Sequence, residues 1–93
     1  MADLLTPDAI TAGLAALPGW SAGDGCITKT FQFEDFVTAF GWMSSVALVA
    51  ERMNHHPDWS NVYRTVQVAL NTHDAGGVTQ LDLDLAAAME RLA

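Results

Sequence analysis

Basic residues are scarce in this chain. Four lysines and arginines stand against eleven aspartates and glutamates in 93 residues, a formal net charge of −7. Lys29, Arg52, Arg64 and Arg91 are scattered, so no basic face is available to displace the counterions of a nucleic acid or to meet an anionic membrane surface. Cys26 is the one cysteine, which excludes an intrachain disulfide and removes any need for an oxidising compartment. The opening "MADLLTPDAI" carries acids and no basic region of the kind a signal peptide has. The charge-free segment from Phe36 to Ala50 is too short to span a bilayer and holds Thr38, Ser44 and Ser45. The expectation is a cytoplasmic chain with no nucleic-acid or membrane partner.

What is abundant is apolar. Hydrophobic residues make up 51% of the sequence, which argues against disorder. The length points to a single domain over residues 1–93. A chain of this size buries roughly 60–65% of its unfolded surface, so its own core is modest.

The element signals fall in the order α-ββ-α-ββ-α. Thr6, Pro7 and Asp8 read as the N-cap and first turn of a short helix that Pro18-Gly19 stops. Asp24-Gly25 is a hairpin turn, followed by a strand with Ile27, Lys29, Phe31 and Phe33 on one face. Lys29 interrupts that apolar face. "EDFVTAFGWMSSVALVAERMN" is a long helix with two apolar stripes. One, Phe36, Phe40, Met43, Ala47 and Ala50, is assigned to the sheet. The other, Trp42, Val46, Val49 and Met53, is left for a partner subunit. A second hairpin turns near Tyr63 to Thr65, with Val62, Val66, Val68 and Leu70 as its apolar set. Thr79 and Asp82 form a capping-box variant at the start of a last helix carrying Leu85, Met89 and Leu92. The predicted class is α+β, a four-stranded antiparallel sheet with helices on one face.

The chain has three histidines, and two of them, His55 and His56, are adjacent in "ERMNHHPDWSNVY". Pro57 drives His56 towards an extended conformation, and neighbouring side chains on extended backbone point to opposite sides. Glu51 lies one helical turn before His55. His73 closes the strand "VQVALNTH", and the hairpin returns that end towards Pro57 and Asp58. Glu51, His55, His56 and His73 therefore converge. A polar exit turn at a helix C-terminus would use paired histidines too, and Asp82 on its own is a capping residue.

"NHHPDWSNVY" followed by "THDAGGVTQLDLDLA" resembles the pterin-4a-carbinolamine dehydratase family, and the likeness extends back through "FQFEDFVTAFGWMSSVALVAERM" to "LPGW". The family's signature of an acid, Asn-His-His-Pro, an aromatic and Asn-Val-Tyr matches Glu51, Asn54 to Pro57, Trp59 and Asn61 to Tyr63. Its Thr-His-acid element matches Thr72, His73 and Asp74, with Asp74 where glutamate is usual. Its aspartate at the last helix matches Asp82, preceded here by Gln80 and Leu81 where polar or charged residues are usual.

The resemblance implies dehydration of a 4a-hydroxytetrahydropterin to the quinonoid dihydropterin, which supports tetrahydrobiopterin recycling after aromatic amino acid hydroxylation. Loss of hydroxide from C4a needs an acid, and N5 must give up its proton. Imidazole titrates nearest neutrality and suits both transfers. By resemblance His55 and His73 are the acid–base pair, and His56 holds the ring. Glu51 and Asp82 orient imidazoles. Pro57 and Trp59 shape the wall beside Thr72 and Asp74, and Trp20 closes the mouth. The implied partners are a pterin and further copies of the chain, as a homodimer or homotetramer, with no cofactor and no metal. The rival readings are a zinc site built from the three histidines and an acid, and a non-catalytic dimerisation module, since some members of the family partner a transcription factor.

Overall fold

The computed structural model describes residues 2–93. Among these the elements are α1 (Pro7–Leu14), β1 (Ser21–Gly23), β2 (Cys26–Gln32), α2 (Phe36–Met53), β3 (Asp58–Val62), β4 (Thr65–Leu70), a 3₁₀ turn (His73–Ala75) and α3 (Gln80–Leu92). This is the α-ββ-α-ββ-α order expected from the sequence. All strand pairings are antiparallel and the sheet order is β1-β2-β4-β3. Each hairpin keeps its own partners, and β2 and β4 meet in the middle with Ile27 opposite Leu70 and Phe31 opposite Val66.

The caps follow local chemistry. The Thr6 hydroxyl accepts the Ala9 N–H, and the Asp35 carboxylate accepts the Thr38 N–H at 2.8 Å. Thr79 and Asp82 complete a reciprocal capping box on α3. Asp24, Asn54 and Tyr63 all take positive φ, and each is a turn or helix-end position. At Asn54 the left-handed conformation ends α2, since asparagine tolerates it better than most residues.

The core lies between the inner face of the sheet and the helices. Ile27, Phe31, Val66, Val68 and Leu70 supply the sheet side, and Val46, Leu85, Ala86 and Met89 the helical side. Lys29 also faces inward, and its charge is answered there. Its ammonium donates to Glu90 of α3 at 2.7 Å and to the Pro18 carbonyl at 2.8 Å, while the Nζ lies 4.7 Å from the Phe31 ring centroid. Gly19, at φ +84°, gives the lysine stem room: a Cβ there would sit 3.1 Å from Lys29 Cε.

Two expectations about faces are corrected. On α2 the buried residues are Ala39, Trp42, Val46 and Ala50, whereas Phe36 and Phe40 are exposed. The stripe assigned to a partner is mostly the one that faces the core. Trp42 decides this: its indole packs on Phe31, Phe33 and Trp59, and its N–H donates to the Met89 carbonyl near the end of α3. The indole therefore serves as both apolar wedge and hydrogen-bond donor to the end of α3. On the second hairpin Val62 is exposed, because its partner Thr65 lies on the outer face of the sheet.

Candidate active site

The site is built where α2 hands over to β3. Asn54 reverses the chain, and the His55 N–H bonds back to the Ala50 carbonyl at 3.0 Å. This turn lays His55 against the first turn of α3. Its Nε2 lies 2.6 Å from Oδ1 of Asp82, with the ring almost buried and the carboxylate fully so. Thr72 Oγ1 donates to Asp82 Oδ2 at 2.9 Å, and the Thr79 N–H donates to the same oxygen at 2.9 Å. The Thr72 and Thr79 hydroxyls are 2.7 Å apart.

His56 points elsewhere, as extended backbone ahead of proline requires. Its Nε2 lies 2.8 Å from Glu51 Oε1, and both side chains are exposed. Such an exposed pair contributes about 0–1 kcal/mol to stability, so its value lies in aiming the ring. His73 opens the 3₁₀ turn after β4. That turn is pinned by an isolated bridge between Thr72 and Gly77, with Thr72 N–H to Gly77 O at 2.7 Å, and is closed by Gly76 at φ 78°. Among the described residues no side chain bonds the His73 imidazole.

These pieces line one cleft of about 600 Å³. His55, His56 and His73 all reach it, together with Pro57, Thr72 and Asp74. Glu51 and Asp82 stand behind it as partners of His56 and His55. A buried nitrogen without a partner would be costly, and no buried side-chain nitrogen or oxygen among the described residues lacks one. The His55 Nδ1 bonds no protein group and is not sealed off, on a residue that lines the cleft.

Two tryptophans stand outside this cleft. Trp20 is in the core, edge-on to Phe31, with its N–H donated to Glu90 at 2.9 Å. Trp59 lies on the inner face of β3 against Trp42. Neither lines the cleft with the histidines. The lining also includes Asn54, Asp58, Asn71 and Leu81, to which the sequence reading gave no role in the site. The hairpin argument had brought His73 back towards Asp58, and the register that pairs Asp58 with Ala69 puts it at the same sheet end as His73. Among the described residues no three His, Cys, Asp or Glu side chains are grouped to hold a metal ion.

The family model described as pterin 4 alpha carbinolamine dehydratase matches residues 3–92. The chain belongs to the pterin-4a-carbinolamine dehydratase family. Relatives whose names place them in the same family include one from Rhodopseudomonas palustris (strain BisB18), 56% identical over all of this chain and 94% of its own. Another, from Bradyrhizobium diazoefficiens (strain JCM 10833 / BCRC 13528 / IAM 13628 / NBRC 14792 / USDA 110), is 55% identical over all of this chain and 95% of its own. Among solved structures, a transcriptional coactivator/pterin dehydratase from Brucella melitensis superposes with a TM-score of 0.95 at 45% identity. The match covers 98% of this chain and 99% of that one.

Proposed function

We propose that this protein dehydrates a 4a-hydroxytetrahydropterin to the quinonoid dihydropterin by histidine acid–base catalysis, as a step in tetrahydrobiopterin recycling. The observation that carries the reading is the cleft itself: three imidazoles reach it, and carboxylates back two of them. In the reaction the C4a–O bond breaks with its electron pair and an acid supplies the proton that makes the leaving group water. The N5 lone pair forms the new C4a=N5 bond, and a base takes the N5 proton. His55 and His73 are the acid–base pair. His56, aimed by Glu51, holds the pterin, and Asp82 orients His55. Pro57, Thr72 and Asp74 bound the cleft.

The chain acts as one domain in the cytoplasm, assembled as a homodimer or homotetramer. Among the described residues no helix is long and apolar enough to cross a membrane. A second reading, a module that docks on a transcription factor, draws on the description of the Brucella structure and on the exposed apolar face of α2. The deciding experiment is turnover of freshly generated 4a-hydroxytetrahydropterin by protein treated exhaustively with a chelator. Acceleration over the spontaneous reaction is expected. No acceleration leaves the docking module, and activity lost to chelator and restored by zinc would require a metal.

A further inference from the structure

The capping box of α3 does more than start a helix. Thr79, Thr72 and Asp82 form a closed set of buried polar groups directly behind His55, with exposures of 0%, 9% and 0%. The direction of each hydrogen bond follows from counting protons. A carboxylate can only accept, so the Thr72 hydroxyl spends its one proton on Asp82 Oδ2 at 2.9 Å. In the 2.7 Å contact between the two threonines, Thr79 must then be the donor. Thr79 Oγ1 accepts in turn from the Leu81 N–H at 3.2 Å. With the Thr79 N–H on Asp82 Oδ2, that oxygen is committed to α3 and the 3₁₀ turn, leaving Oδ1 for His55. The bond at Oδ1 then runs from His55 Nε2–H to the carboxylate.

We propose that Thr79 and Thr72 are positioning residues for His55. Their hydroxyls form a one-way chain into Asp82 Oδ2 that locks the carboxylate with Oδ1 towards His55, so that Asp82 holds the imidazole as the Nε2–H form and leaves Nδ1 as the nitrogen that exchanges a proton with substrate. The proposal rests on reading His55 as an acid–base group. Thr72 thereby moves from a wall residue to a member of the chain. Its backbone also sets the turn that carries His73, so both candidate acid–base histidines depend on one threonine.

The test uses protein labelled with ¹⁵N-histidine. In the unmodified protein the neutral His55 ring should show Nε2 protonated and Nδ1 bare. Thr79→Val and Thr72→Val keep shape and remove the hydroxyl. Each should free the carboxylate to turn away from Nε2, and so raise the share of the Nδ1–H form and lower kcat by up to roughly 10²-fold, the low end of what a positioned acid–base group contributes, with KM changed much less. The Thr79→Ser and Thr72→Ser variants keep the hydroxyl and should restore both the tautomer and the pH profile of kcat/KM. An Nδ1–H ring in the unmodified protein overturns the proposal even if the valine variants do not fold. So do folded valine variants with the original tautomer and kcat, or serine variants as impaired as valine. If the unmodified protein shows no dehydratase activity, the functional reading fails, while the tautomer measurements still decide the hydrogen-bond chain.

Discussion

The His55 ring is held by one nitrogen and open at the other, while His73 has no side-chain partner among the described residues. Two such different imidazoles on one cleft suit two different proton transfers. His55→Ala and His73→Ala should each lower kcat by roughly 10–10³-fold, and His56→Ala should act mainly on KM. The His55→Ala/His73→Ala double variant should run near the uncatalysed rate, and steady-state kinetics against the spontaneous reaction would show it. Wild-type kcat in the double variant would refute the assignment. Much of this was legible in the sequence, because proline after the pair separates the two rings and the hairpin returns His73 to them. Asp82 was readable both as a cap and as a partner, and it is both. The tryptophans could be read two ways, as core aromatics or, by resemblance, as walls of the site. An aromatic near a motif gives no sign of which face of a strand it occupies, and Trp20 and Trp59 turned to the core, where Phe31 and Trp42 pack against them.

Helix α2 shows where periodicity stops being informative. Both of its stripes are apolar at helical spacing, so the pattern does not rank them. Packing does: Ala39 is small and fully buried, and Trp42 fills the space between Phe31, Phe33 and Trp59. Trp42→Ala should therefore cost about 3–5 kcal/mol in urea unfolding. A loss below about 1 kcal/mol would mean that the aromatic cluster is not what fastens α2 to the sheet. The start of the same helix gives a pH test. The Thr38 backbone N–H, and then its side chain, hold the Asp35 carboxyl below its ordinary range. A lowered folded-state value means that the ionised cap stabilises the fold above the unfolded value of about 3.9, and that this contribution is lost as pH falls through the folded value. Asp35→Ala should lower the thermal midpoint at pH 7, and the gap to wild type should narrow towards pH 3. A gap of constant size from pH 7 to pH 3 would remove the charge from the explanation.

At the scale of the whole molecule, the corrected facing of α2 changes where a second copy should bind. Phe36, Val37, Phe40 and Leu48 are exposed by 46, 78, 54 and 71%. At 100° per residue they fall within about a third of the helix circumference. Between them lie Ser44 and Ala47, with Gly41 at the edge, and the Ser44 hydroxyl is already bonded to the Phe40 carbonyl of its own helix. No charged side chain interrupts residues 36–50. That last point matters for a chain of net charge −7, since two copies meeting here bring no acidic groups face to face. Monomers seldom leave a contiguous apolar patch larger than about 300–600 Å² in water, and a two-fold contact would cover the same patch on both partners. The small residues between the aromatics allow close approach of two helices. Sedimentation at micromolar concentration should find an oligomer. Phe40→Glu should dissociate it at little cost to the fold, because Phe40 is already half exposed in the single chain and only the contact desolvates it. Trp42 would be the wrong probe, since a charge there unfolds the subunit instead of parting it from its neighbour. A wild-type monomer would refute the assembly outright. A Phe40→Glu variant of unchanged mass would refute this face and leave strand pairing along the open edge of β3 as the remaining contact, the route that together with α2 would build a tetramer from two kinds of interface.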